Sequence, residues 1–266
     1  FWQFATSATD ANRFSLRIAR MVTGRSKILI YNHSYHGSVD ETVATLQKDG
    51  SVGPRPGAVG PPVDPALTTK VIEWNDIEAL EAALRDGDVA AVLAEPVMTN
   101  IGIVHPEPGY HQALRELTQK YGTVLIIDET HTICSGPGGY TAEHNLQPDM
   151  LTIGKTIAGG IPAAAFGMNA ELARKAAASI DLENCDVGGI GGTLAGNALT
   201  IAAMRATLTH VLTREFYDRA IPLAERFHQG VIDGIQELAL PWNATRLGCR
   251  TEYWFRQEPA QNGGQA

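Results

Sequence analysis

The chain has 266 residues, 21 basic against 29 acidic side chains, a formal net charge of −8 and 44% hydrophobic residues. That length buries one large core plus a piece of another domain, and 19% charged residues excludes global disorder. The acidic balance without a basic run disfavours nucleic acid or an anionic membrane as partner, and no apolar run approaches the roughly 18 residues of a membrane span.

In chain order, the opening Phe-Trp-Gln-Phe has no charged segment ahead of an apolar one, so no signal peptide is read there. It also lacks an initiator Met, and 261–266 is polar, so the expectation is a piece of a longer chain. Ala11, Phe14, Ile18 and Met21 recur at near-helical spacing, which predicts a helix from Asp10 to Val22 stopped by Gly24. Lys27 to Tyr31 reads as a strand, and Asn32 to Ser38 as a loop. Nine Gly or Pro residues from Gly50 to Pro65 predict no regular structure there. Lys70 to Trp74 reads as a strand. Asn75 is expected to cap a helix through Arg85, with Glu78 completing a capping box. Val89 to Ala94 is an apolar strand, Tyr110 to Tyr121 a helix, and Thr123 to Ile127 a strand ending at Asp128-Glu129. Met150 to Ile153 and Ala163 to Met168 are strands, followed by a helix capped by Asn169 and running to Ala178. Asp181 to Gly192 is a glycine-rich loop. Ala195 to Leu212 and Arg214 to Leu238 are helical, and Arg250 to Phe255 alternates like a strand. Three cysteines (Cys134, Cys185, Cys249), odd in number and far apart, argue against a disulfide framework and for a reducing cytoplasm.

Strands that are apolar throughout, alternating with helices, predict an α/β fold whose mainly parallel sheet is covered on both faces. Ligands of such sheets bind beyond the carboxyl ends of the strands, where Glu95, Asp128 and Lys155 fall. Lys155, in Leu-Thr-Ile-Gly-Lys-Thr-Ile-Ala-Gly-Gly, is either a surface turn residue or a partly buried amine of lowered pKa, able to condense with an aldehyde cofactor. A phosphate loop is rejected, because Asp149 stands where that motif needs glycine. Asp128 is either a turn cap or the partner of a buried cation such as a pyridinium nitrogen. Thr6-Ser7-Ala8-Thr9-Asp10-Ala11 opens the first helix. There backbone N–H groups and the Ser7 and Thr9 hydroxyls offer an anion site or an ordinary cap. In Tyr35-His36-Gly37 the aromatic ring is placed to stack on a planar ligand. His33 with His36, and His131 with Cys134, are incomplete as metal sites. Arg250 and Glu252 read as a solvated strand face, with contact to substrate as the alternative.

Six ordered motifs resemble the class III aminotransferases, pyridoxal-phosphate enzymes of fold type I. Thr6-Ser7-Ala8-Thr9-Asp10-Ala11-Asn12 resembles that family's Asn-Ser-Gly-Thr-Glu-Ala-Asn, and Tyr35-His36-Gly37 its Tyr-His-Gly. Glu95-Pro96 and Asp128-Glu129 match its Glu-Pro and Asp-Glu. Pro148-Asp149 through Gly154-Lys155 and Gly159-Gly160-Ile161-Pro162 resembles its lysine segment, and Gly192-Thr193-Leu194-Ala195-Gly196-Asn197 its Gly-Thr-apolar-Ser-Gly-Asn. The glutamate-1-semialdehyde aminomutase branch and its amine-transaminase relatives are the most similar.

The resemblance implies that Lys155 carries the cofactor and moves the substrate proton, and that Asp128 keeps the pyridine nitrogen protonated. It implies that Tyr35 stacks on one ring face, Thr130 packs on the other, and Ser7, Ala8 and Thr9 bind the phosphate. His36 belongs to the same cofactor-binding set; His131, at a departure from the family pattern, either bonds the phenolic oxygen or is a loop histidine bonded to backbone. Thr193 would reach the phosphate of a partner subunit, which implies a homodimer. Ala8 departs from the family's glycine, Thr130-His131 departs from its usual Val or Ile then Gln or Met, and Asn100 agrees with the aminomutase branch. The expected division is a cofactor domain over 1–205, lacking its N-terminal part, then a connecting helix and the start of a small α+β domain over 206–266. The expected activity moves an amino group from an amine or amino acid to a keto acid or aldehyde in two half-reactions. The alternatives are an intramolecular aminomutase or racemase, and a catalytically silent dimeric homologue.

Overall fold

Successive side chains of a strand point to opposite faces, so a strand that is apolar throughout must be covered on both sides. The computed structural model describes residues 1–60, 63–179 and 188–266. Its elements in chain order are β1 (Trp2–Ala5), α1 (Ala8–Thr23), β2 (Lys27–Tyr31), β3 (Ala44–Leu46), β4 (Val52–Pro54), β5 (Thr69–Ile72), α2 (Ile77–Arg85), β6 (Val89–Ala94), α3 (Tyr110–Lys120), β7 (Val124–Asp128) and α4 (Gly139–Glu143). There follow β8 (Met150–Ile153), β9 (Ala164–Met168), α5 (Ala170–Ser179), α6 (Ala198–His210), α7 (Arg214–Glu237), β10 (Asn243–Leu247) and β11 (Arg250–Trp254).

The main sheet has the order β5-β2-β6-β7-β8-β9-β1. From β5 to β8 it is parallel, β9 runs antiparallel to β8, and β1 antiparallel to β9. Every residue of β6 is buried. Val92 and Ala94 enter a core with Leu29, Leu125, Leu80 and Leu84 of α2, and Leu114 of α3. Ala91 and Leu93 enter the opposite core with Ile28, Ile126, and Phe14 and Ile18 of α1. Each fully buried aliphatic side chain contributes about 1.5–3 kcal/mol, so the central strands are fixed in register by both layers at once.

The first helix begins at Ala8, two residues before the expected start at Asp10. Ser7 caps it by accepting from the Asp10 N–H, and Gly24 closes it at φ 67° with its N–H on the Arg20 carbonyl. Met21 is exposed, whereas Leu16 and Ala19 widen the buried face. Two expectations are overturned. Within 50–65, Val52–Pro54 pairs antiparallel with Ala44–Leu46. Pro54 takes the end of that two-stranded pair, where a missing N–H is tolerated, and glycine at position 53 leaves room for the Gln47 side chain. The second helix is capped by Asp76, whose carboxylate accepts from the Ala79 N–H. Asn75 instead adopts φ 68° and donates to the carbonyls of His105 and Gln261. Of the expected loop Asp181 to Gly192, residues 181–187 lie outside the described residues, as does Cys185.

Residue 205 lies inside α6. Further on, β10 and β11 form an antiparallel hairpin that docks on loops following β6 and β7. Tyr217 donates its hydroxyl to the Ile133 carbonyl at 2.7 Å, and the Cys249 N–H donates to the Cys134 carbonyl at 3.0 Å. Trp254 is buried over Gly102, which has φ 93°; a Cβ there would lie 2.4 Å from the indole ring. Gly102→Ala is therefore expected to cost roughly 1–3 kcal/mol through overpacking. Amide hydrogen exchange should show residues 243–254 opening faster while β6 stays as protected as in the parent. Unchanged exchange across the hairpin would contradict this packing.

Candidate active site

Because β1, β2, β6, β7 and β8 all point the same way, their carboxyl ends share one edge of the sheet. Asp128 is the last residue of β7 and is 3% exposed. A carboxylate buried this way needs partners, and the fold brings three. His36 Nδ1 lies 2.9 Å from Oδ2, Asn12 donates its amide to the same oxygen at 2.8 Å, and the Thr130 N–H donates to Oδ1 at 3.0 Å. Burial works to raise the Asp128 pKa, but the His36 ring and the Thr130 and Asn12 donors outweigh it and hold the carboxyl below its ordinary range. Asn12 is fixed in turn, since it accepts from the Thr152 hydroxyl at 2.6 Å and donates to the His36 carbonyl.

The start of α1 faces this edge. Its first backbone N–H groups have no partner within the helix, and its dipole favours an anion. The Ser7 hydroxyl is engaged with Asp10, and Thr9 Oγ1 accepts from the Ser38 N–H. The segment 35–37 is pressed onto that helix end. A Cβ on Gly37, which has φ 83°, would fall 2.1 Å from Thr9 Oγ1. The methyl group of Ala8 is accommodated by Gly154, where an added Cβ would lie 3.0 Å from it.

Beside the carboxylate runs a second chain of polar groups. Glu95, buried at the end of β6, accepts both the N–H and the hydroxyl of Thr99, at 3.1 and 2.5 Å, and the Tyr35 N–H at 3.3 Å. Burial raises its pKa. Thr99 Oγ1 lies 2.7 Å from His131 Nδ1, and His131 Nε2 lies 2.5 Å from Lys155 Nζ. Burial, then the charges of Lys155 and Arg250, lower the His131 pKa to about 4. Lys155 opens a one-turn helix (Lys155–Ala158) at φ 52°. Of the two readings of Lys155, it is exposed as a turn residue would be, yet its amine faces the cavity. Desolvation nonetheless lowers its pKa.

A cavity of about 370 Å³, within the range of about 300–1,000 Å³ usual for small-molecule sites, collects Ser7, Ala8, Thr9, Tyr35, His36, Asp128, Thr130, His131 and Lys155. Thr193 lies outside it and is exposed on this chain. The model of the family described as Aminotransferase class-III matches residues 2–238. The chain belongs to this family.

Among relatives, the glutamate-1-semialdehyde 2,1-aminomutase 2 of Brevibacillus brevis is 32% identical over 98% of this chain and 60% of its own length. A crystal structure of a glutamate-1-semialdehyde-aminomutase from Pseudomonas aeruginosa PAO1 superposes with a TM-score of 0.97 at 49% identity, covering 100% of this chain and 59% of that one. A lysine-to-alanine variant of that enzyme was solved in complex with PMP. An omega-transaminase from Sphaerobacter thermophilus gives a TM-score of 0.84 at 30% identity, covering 97% of this chain and 60% of that one. The class-III chain thus has the fold-type I architecture and spans about 60% of the length of the relatives it matches.

Asn12, Thr99 and Thr152 are the polar residues of this class-III site that sequence reasoning did not single out. Asn12 sat inside a quoted motif without a role, and Thr99 had no spacing signal at all. Arg250 and Glu252, read as a solvated face, are half-buried. Arg250 reaches in and donates to the Thr99 carbonyl at 2.9 Å, because the hairpin folds over the loop after β6. Among the described residues no three His, Cys, Asp or Glu side chains cluster as a metal site, and no helix is long and apolar enough to cross a membrane.

A depressed folded-state pKa contributes stability that is present above the ordinary carboxylate range and lost as pH falls through the folded value. Asp128→Asn is therefore expected to cost about 1.5–3 kcal/mol at neutral pH, the worth of charged hydrogen bonds. The gap between parent and variant should close as the pH is lowered. Urea unfolding at stepped pH measures it, and a gap that stays constant would remove Asp128 from its place as a buried charge.

Proposed function

We propose that the protein of which this chain is part transfers amino groups with pyridoxal phosphate held in this cavity. The observation that carries the reading is the convergence of an amine, Lys155, a buried carboxylate, Asp128, and a helix N-terminus on one cavity. Three features fit the cofactor. The start of α1 suits a phosphate. Asp128, held ionised, suits a protonated ring nitrogen. Thr130 Oγ1 is buried at the cavity wall with no hydrogen-bond partner among the described residues. The PMP complex of the Pseudomonas aeruginosa relative supports the same choice.

When bound, pyridoxal phosphate supplies an aldehyde that captures amines and a pyridinium ring that takes up electrons. Lys155 would hold it and carry the proton to and from the substrate carbon. Asp128 would keep the ring nitrogen protonated, with His36 and Asn12 orienting the carboxylate. The N–H groups of Ala8 and Thr9, with Ser7 at the cap, would take the phosphate. Tyr35 would cover one face and Thr130 the other, and His131 would stand beside the phenolic oxygen. Residues 206–266 would begin a small C-terminal domain, and Thr193 would complete the phosphate site of a second subunit.

Transfer between two molecules is the first reading. Intramolecular transfer, of the glutamate-1-semialdehyde type, is favoured by the 49% identity to the Pseudomonas aeruginosa aminomutase and by Asn100. Turnover separates them. A transaminase releases a keto product and stops until an acceptor such as pyruvate is added, whereas an aminomutase turns over glutamate-1-semialdehyde with no acceptor.

Lys155→Ala in the full-length protein should abolish the absorbance of the covalently bound cofactor and stop turnover. Full activity in that variant would overturn the assignment. A charge-assisted hydrogen bond is worth about 1.5–3 kcal/mol, so Thr193→Ala should weaken cofactor binding roughly ten- to a hundredfold. In a mixed dimer of Thr193→Ala and Lys155→Ala subunits, the one surviving lysine site should keep near-parental affinity, measured by titration with pyridoxal phosphate. Weakened affinity there would mean that Thr193 serves its own subunit.

A further inference from the structure

Thr99 is completely buried and bonded through its three polar backbone and side-chain atoms. Its N–H and hydroxyl both approach Glu95 Oε2, its carbonyl accepts from Arg250, and its Oγ1 lies against His131 Nδ1. A threonine hydroxyl has one proton. Burial raises the Glu95 pKa, but backbone N–H groups from Tyr35 and Thr99 on both of its oxygens favour the carboxylate, and at mildly alkaline pH that carboxylate also takes the hydroxyl proton. Thr99 Oγ1 is then an acceptor, and the proton between it and His131 belongs to Nδ1. A neutral imidazole with its proton on Nδ1 presents a bare lone pair at Nε2, and Nε2 is the atom 2.5 Å from Lys155 Nζ.

We infer that Glu95 and Thr99 lock His131 as the Nδ1–H tautomer, so that its bare Nε2 receives and positions the Lys155 amine whenever that amine is not bonded to the cofactor. This rests on the reading of Lys155 as the cofactor lysine, and it makes His131 a positioning residue for the amine. A lysine released during turnover has a long, flexible stem and must be kept close to the atoms it serves. An acceptor that is itself neutral holds an N–H without repelling the ammonium form. The charged and titratable groups facing His131 are Lys155, Arg250, Asp128 and His36; the two flanking cations, with burial, disfavour an imidazolium. No atom is exchanged in the step: one N–H···N hydrogen bond forms when the amine is free and is given up when it reacts.

The test uses full-length protein. Nitrogen-15 shifts of His131 in the cofactor-free protein at mildly alkaline pH should report the Nδ1–H form in the parent and in Thr99→Ser. Thr99→Val, which keeps the shape and removes the acceptor, should shift the population to Nε2–H. Capture of pyridoxal phosphate by Lys155, followed as the rise of its absorbance, should slow at least tenfold in Thr99→Val and His131→Phe and be restored in Thr99→Ser. An Nε2–H signature in the parent, or parental capture rates in both Thr99→Val and His131→Phe, would overturn the inference. A parent that takes up no pyridoxal phosphate would instead overturn the proposed function. The tautomer measurement, which needs no cofactor, would still decide the hydrogen-bond network.

Discussion

The burial of Asp128 at the end of a central strand sets the terms for everything around it. An ionised carboxylate cannot sit there alone, and its partners come from far along the chain. Asn12 arrives on the first helix, His36 on the loop after β2, and Thr130 from the turn that follows the strand itself. Holding that one charge therefore fixes the mutual position of three segments. The helix N-terminus, the aromatic at position 35 and the floor of the cavity come into place as a result. A second carboxylate, Glu129, is buried next to it and plays a different part. It accepts from the N–H groups of Tyr140 and Thr141 and from the Thr132 hydroxyl, so it anchors the turn leading into α4. Adjacent acidic residues thus face opposite tasks, one toward the cavity and one toward the scaffold.

The same division runs through the whole sheet. Between its edges the strands are mostly apolar and carry the stability. At the carboxyl edge the side chains turn polar within a residue or two, at Asn32, Glu95, Asp128 and Lys155. This edge is the part of a parallel sheet that packing does not need, because the chain must leave the layer there. Chemistry is accommodated where the hydrophobic demand ends, and the hairpin of β10 and β11 then partly covers it through Trp254 and Arg250.

Much of this was legible in the sequence. Continuous apolar runs gave the parallel strands, because two-sided burial leaves no room for polar alternation. Motifs at strand ends gave nine of the ten candidate binding residues now found on one cavity. What was not legible depends on distance in the chain. Thr99 is an unremarked threonine until Glu95, His131 and Arg250 surround it. The cap of α2 was misplaced by one residue because Asn and Asp are both good caps, and only the positive φ of Asn75 decides for Asp76. The hairpin was half-seen, because Asn243–Leu247 is intermediate in burial along most of its length and so has no alternation to read. Thr193 illustrates the remaining limit, since a residue proposed to act across an interface leaves no trace on a single chain.

The pairing of β1 with β9 has a consequence for how the chain is made. Trp2 lies opposite Gly167 and Phe4 opposite Ala165, far along the chain. Among the described strands β1 pairs only with β9, so it waits for that strand to emerge. Such long-range closure is slow and leaves strand edges open in the meantime. Since β1 leads directly into α1, the helix end at the cavity comes to rest only when the far edge of the sheet is zipped. On the ribosome, assembly of the pocket is thus a late event tied to completion of the layer, and a nascent chain halted before position 164 would present β1 as an unpaired, aromatic-rich edge to chaperones.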